Sequence, residues 1–111
     1  MDKIERIRET LDDLRLEDII VYDVRKKSPF FDYFVISSAK NPRQLKASIM
    51  RIKNALEEGG YETPAVEGRD SEEWVLIDTG DIIVNVFSKT ERDYYNIEKM
   101  WVDVPRMEQR Q

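Results

Sequence analysis

The stretch that most limits how this chain can fold is EEWVLIDTGDIIVNVFS, residues 72–88. Two runs rich in β-branched and aromatic residues, Glu73–Asp78 and Asp81–Ser88, flank Thr79-Gly80, the pattern of an antiparallel hairpin. Alternation within the first run sets Trp74, Leu76 and Asp78 on one face and Val75 and Ile77 on the other. Both faces therefore carry apolar side chains. Such a strand is either covered on both sides or leaves one side for a partner. Two readings of Trp74 stay open at this point: a core side chain, or an exposed anchor of the kind that dominates protein interfaces.

The other elements follow from periodicity. Ile4, Ile7, Leu11 and Leu14 form the apolar stripe of a helix over residues 2–14. Asp18–Val24 and Asp32–Ser38 read as strands joined by a short loop, hence an antiparallel pair. In NPRQLKASIMRIKNALEEGG, Asn41 is an N-cap, Pro42 suits the first helical turn, and Gln44 closes a capping box. Leu45, Ile49, Ile52 and Leu56 supply its apolar stripe, and Gly59-Gly60 end it. YETPAVEG is an edge strand, because Pro64 has no N–H to give a ladder. Thr90 caps a last helix holding RDYYNIEKMW, in which Tyr94, Ile97 and Trp101 would face the sheet, while Arg92 and Glu98 would pair with each other or with neighbouring charges as exposed pairs that contribute little. The expectation is an α/β fold in a single domain, residues 1–104. Its mixed sheet has about five strands flanked by helices, and residues 105–111 form a polar tail.

Composition narrows the chemistry. With no cysteine and no histidine, the chain has no thiolate nucleophile, imidazole base or disulfide, and no Cys- or His-ligated metal. Eighteen basic against twenty-three acidic residues give a net charge of -5, a poor balance for holding nucleic acid; the basic spot RKK at Arg25–Lys27 is short. No signal-peptide pattern opens the chain and no apolar run is long enough to span a bilayer, so a cytoplasmic location is expected. Glycine-rich phosphate loops are absent, and no cofactor is expected.

Two features imitate a nucleotidyltransferase. Asp70 and Glu72 stand in the D-x-E spacing of a metal pair, and Ser37-Ser38 follows a strand as a Gly-Ser entrance would. The carboxylates fall in a polar stretch rather than on a strand, and the glycine is missing. Asp78 and Asp81 in DTGD could flank a magnesium ion, but ordinary turn chemistry accounts for both.

Taken in order, DYFVI, VEG, EEWVLIDTGDIIVNVF and RDYYNIEKMW resemble the ribosomal silencing factor, or Iojap, family along nearly the whole chain. The resemblance implies a nucleotidyltransferase-like fold without the active site. It also implies a non-enzymatic protein that binds ribosomal protein number fourteen of the large subunit and blocks joining of the small subunit when nutrients are scarce. A homodimer in isolation is implied too. Trp74 matches the family tryptophan at the ribosomal contact, and Leu76 and Asp78 share its strand face. Val84, Phe87, Tyr95 and Met100 are added by their nearness in the second hairpin strand and the last helix. Asn85 stands where the family usually has histidine; asparagine keeps the hydrogen bonding and loses the titration.

Overall fold

The structure, a computed structural model, describes residues 2–107. Helix α1 (Lys3–Asp13) leads into strands β1 (Glu17–Asp23) and β2 (Tyr33–Ala39), then helix α2 (Pro42–Glu58). Strands β3 (Ala65–Glu67), β4 (Trp74–Asp78) and β5 (Ile82–Ser88) follow, and the described chain closes with helix α3 (Lys89–Tyr95) and a 3-10 turn over Ile97–Trp101. The sheet is mixed, in the order β1-β2-β5-β4-β3, with β2 and β5 parallel and every other pair antiparallel. Both expected hairpins form, and α2 carries the chain from β2 across the sheet to β3 at the far edge, from which β4 leads back to β5 beside β2.

Local chemistry sets the ends of the elements. Asp2 caps α1 through a bond from the Glu5 N–H, and Asn41 caps α2 through one from the Gln44 N–H at 2.8 Å. The Gln44 side chain reaches back one residue further than a capping box, accepting from the Lys40 N–H and donating to the Leu14 carbonyl, which ties α2 to the end of α1. In the β4–β5 turn, the Gly80 N–H donates to Asp78 at 2.9 Å, and Asp81 accepts from Lys3 at 2.6 Å, so turn geometry and an ion pair occupy both carboxylates.

The two faces of the sheet are closed differently. Ile4, Ile7 and Leu11 of α1 and Leu45, Ile49, Ile52 and Leu56 of α2 pack on Val21, Val35, Val75, Ile77, Ile82, Val84 and Val86 in one continuous core. The opposite face holds a smaller cluster of Tyr22, Val24, Ile36, Phe87 and Val104, with Phe34, Trp74, Ile97 and Trp101 against it.

Three expectations change. The last helix is not continuous. Asn96 sits in the left-handed region at φ 47, α3 ends there, and its N-cap is Ser88 rather than Thr90. The break turns Tyr94 outward, 78% exposed, so the seam to the sheet is made by Ile97 and Trp101 without it. Arg92 is itself buried. Finally, the first residues of the expected tail pair with the sheet edge. The Asp23 N–H donates to the Pro105 carbonyl at 2.8 Å, the Met107 N–H donates to the Val21 carbonyl at 2.9 Å, and Arg106 bridges Tyr22. They cover the free edge of β1, a standard protection of exposed strand edges. Residues 108–111 of that tail lie outside the described residues.

Candidate functional site

Where β5 meets β4, the second face of the sheet is only partly covered among the described residues. Along β4, burial alternates: Val75 and Ile77 are fully buried on the helix side, while Trp74, Leu76 and Asp78 are half-exposed on the other. Trp74 lies stacked on Phe87, ring centroids 5.0 Å apart, with Tyr95 tilted against it at 5.8 Å. Its indole N–H donates to the Asn85 side-chain oxygen at 3.1 Å, and Asn85 donates in turn to the Val35 carbonyl at 3.3 Å. Asn85 is fully buried. An indole held by a stack beneath and a hydrogen bond at its edge has few rotamers left, so Trp74 is preorganised rather than loosely exposed.

The loop before β4 completes this arrangement. Gly68 takes φ +85, and a Cβ there would stand 2.5 Å from the Trp74 carbonyl oxygen, so both backbone sign and space require glycine. The Ser71 hydroxyl accepts from the N–H groups of Glu73 and Trp74, turning the chain into β4. Between Glu67, Gly68, Trp74 and Leu76 lies a shallow, largely apolar cavity of about 160 Å³. Tyr94, at 5.1 Å from Tyr95, and Met100, 68% exposed, add exposed apolar surface from the segment after β5.

Of the seven residues expected to form a contact surface, the structure brings Trp74, Leu76 and Tyr95 together, with Asp78 further along the same strand face. Met100 is exposed on the 3-10 turn. Val84 does not belong with them. It is fully buried on the helix-covered face, because alternation along β5 puts Ile82, Val84 and Val86 opposite Ile83, Asn85 and Phe87. Phe87 is on the right face but has no exposed surface; it supports Trp74 from below. The period-two count that places Trp74 also separates Val84 from Phe87, and it marks Asn85 as the face-mate that sequence reasoning passed over.

A second polar centre lies where β2 ends. Arg92, 6% exposed, donates to the Ser38 hydroxyl and to Glu98, each at 2.9 Å. Ser37 donates to the Asn85 carbonyl at 3.1 Å. Both serines of the transferase-like pair are thus engaged in the fold, and Asp70 and Glu72 are exposed in the loop before β4. Among the described residues, no group of three or more acidic side chains is placed to hold a metal ion, and no helix is long and apolar enough to cross a membrane.

Electrostatic shifts fall at the opposite edge of the sheet. Burial pushes the Tyr22 hydroxyl up, against the opposing pull of the Arg106 guanidinium beside it. The bidentate hydrogen bonds from Arg25, at 2.9 and 2.6 Å, hold the Asp23 carboxyl below its ordinary range.

Comparison with known proteins gives a consistent result. The family model described as ribosomal silencing factor during starvation matches residues 1–111. A ribosomal silencing factor of Bacillus subtilis is 44% identical over 94 residues, 85% of this chain and 80% of that protein. A crystal structure of a Bacillus halodurans protein superposes with a TM-score of 0.83 at 34% identity, covering 96% of each chain. A Chromobacterium violaceum structure gives the same TM-score at 36% identity, over 91% of this chain and 87% of the other.

Proposed function

The chain belongs to the ribosomal silencing factor family, and on that premise we propose that it silences ribosomes sterically. It docks on ribosomal protein number fourteen of the large subunit and occupies space that the small subunit needs, lowering translation in the cytoplasm under nutrient limitation. The observation that carries this reading is Trp74, half-exposed yet fixed in place by Phe87 and Asn85, on a part of the sheet left only partly covered among the described residues. A rigid aromatic anchor with apolar neighbours is the composition of an interface hot spot. Leu76, Tyr95 and Met100 extend the surface, and Asp78 lies toward its rim. An acidic body of net charge -5 is drawn to a basic ribosomal protein, which favours fast, correctly oriented encounter. No bond need be made or broken in this function.

Co-sedimentation with isolated subunits tests the reading. The protein should pellet with large subunits and not with small ones, and added small subunits should then fail to join. Trp74→Ala should weaken large-subunit binding by more than ~1 kcal/mol, roughly fivefold or more, with the fold intact. Equal pelleting with both subunits would remove the proposed mechanism, and unchanged affinity of a folded Trp74→Ala variant would remove the site. Self-association through the same patch is a second expectation: if a homodimer hides Trp74, large-subunit occupancy rises less steeply with protein concentration than single-site binding requires.

A further inference from the structure

The net charge of this protein conceals a segregation. Between Asp32 and Glu57 the chain has no acidic residue, and Lys40, Arg43, Lys46, Arg51 and Lys53 fall in that interval. The rest of the chain, thirteen basic against twenty-three acidic residues, carries a net charge of -10. At 3.6 residues per turn, Arg43, Lys46, Met50 and Lys53 fall within roughly 80° of arc on α2, away from the Leu45, Ile49, Ile52 and Leu56 stripe that packs on the sheet. Arg43, Lys46 and Met50 are exposed and Lys53 is half-exposed; none of the three cations has an ion-pair partner among the described residues. Lys40, also exposed, lies two residues ahead of the helix. Arg51 does not belong to it, since it faces the groove between α1 and α2 alongside Glu9, Asp13 and Glu58.

This placement works against the helix that carries it. The first turn of α2 has no acidic residue and the last turn no basic one; Glu57 and Glu58 stand at the C-terminal end instead. Both ends therefore oppose the macrodipole, and Arg43 and Lys46 repel each other at i,i+3. Helix stability alone would favour the reverse order. Local rules broken in this way are expected at functional or strained sites.

We infer that the outer face of α2 binds the phosphate backbone of RNA. Cations stepped along a helix for about 15 Å can meet several successive phosphates, and arginine can grip one bidentately. An acidic protein partner fits less well. Protein interfaces need buried aromatic or aliphatic anchors, and this face offers only Met50. α2 covers one face of the sheet and Trp74 lies on the other, so the two surfaces bind independently and this inference does not rest on the Trp74 docking reading.

The test is fluorescence anisotropy of a labelled RNA hairpin titrated with the whole protein, across a salt series. The wild type should bind, and Arg43→Gln/Lys46→Gln/Lys53→Gln should lose about tenfold or more at low salt. Its slope of log affinity against log salt should be shallower by roughly 2 to 3, one increment for each phosphate contact removed. The triple variant should melt at or above the wild-type temperature, since it relieves the unfavourable helix charges. Trp74→Ala should bind the RNA like wild type, which separates this inference from the docking site. Equal RNA affinity and salt slope in the wild type and the triple variant would overturn the assignment. So would competition by polyglutamate that matches unlabelled RNA at equal charge, which would give the surface to an acidic protein segment.

Discussion

The two faces of this sheet bury similar strand residues and reach opposite outcomes. On one, α1 and α2 present unbroken apolar stripes and close the core over its whole width. On the other, α3 stops at Asn96, a 3-10 turn and Val104 cover β1 and β2, and the outer part of β4 is left half-bare. The same side-chain chemistry is fully buried where helices cover it and half-exposed where the cover is partial. The difference lies in the covering elements, not in the strand.

The sharpest way to break that contrast is to weaken each side separately. Leu56→Ala, at a fully buried position of the helix-covered face, should destabilise the protein by about 2–5 kcal/mol in urea unfolding while leaving the exposed patch chemically unaltered. Arg92→Ala should lower stability by about 1–3 kcal/mol. It leaves the buried Ser38 hydroxyl and Glu98 without their donor and loosens the segment that partly covers the second face. If the contrast holds, Arg92→Ala also alters large-subunit binding through Tyr95 and Met100, whereas Leu56→Ala affects binding only in proportion to unfolding. Far from both, Asp23→Asn should have the smallest effect, and one that depends on pH. The carboxyl's pKa is lowered in the fold, so its stabilisation is complete above the unfolded value near ~3.9 and vanishes as pH falls through the lower folded value. Urea titrations of wild type and Asp23→Asn should therefore differ slightly at neutral pH and converge in acid.

Much of the covered face was legible from periodicity. The hairpins, the crossover helix and its caps follow from Asn41, Pro42, Gly59 and the β-branched runs, because those signals are local. The second face was less legible because its closure is not local. Tyr94, Ile97 and Trp101 keep helical spacing in the sequence, and nothing in that spacing announces that Asn96 turns left-handed and throws Tyr94 out. Pairing of Pro105–Met107 with β1 is a contact between segments far apart in sequence, invisible to any window. Trp74 itself could be placed on a face by counting, but whether that face was covered required the fold. Nearness along the hairpin groups Val84 with Phe87, but alternation along β5 puts Val84 in the core. Asn85 stands out in the sequence as a departure from histidine, and the fold makes it the buried acceptor that orients the tryptophan.

Oxidation of the two tryptophans offers the most direct test of the central claim, that the partly covered end of the sheet is the docking surface. Hydroxyl-radical footprinting of the protein, free and bound to large subunits, reports on Trp74 and Trp101 in the same sample. Trp74 should become protected on binding, while Trp101, packed against Phe34 and Tyr22 under the second cluster, keeps its free-state reactivity. Unchanged Trp74 reactivity in a protein that demonstrably co-sediments with the large subunit would contradict the account.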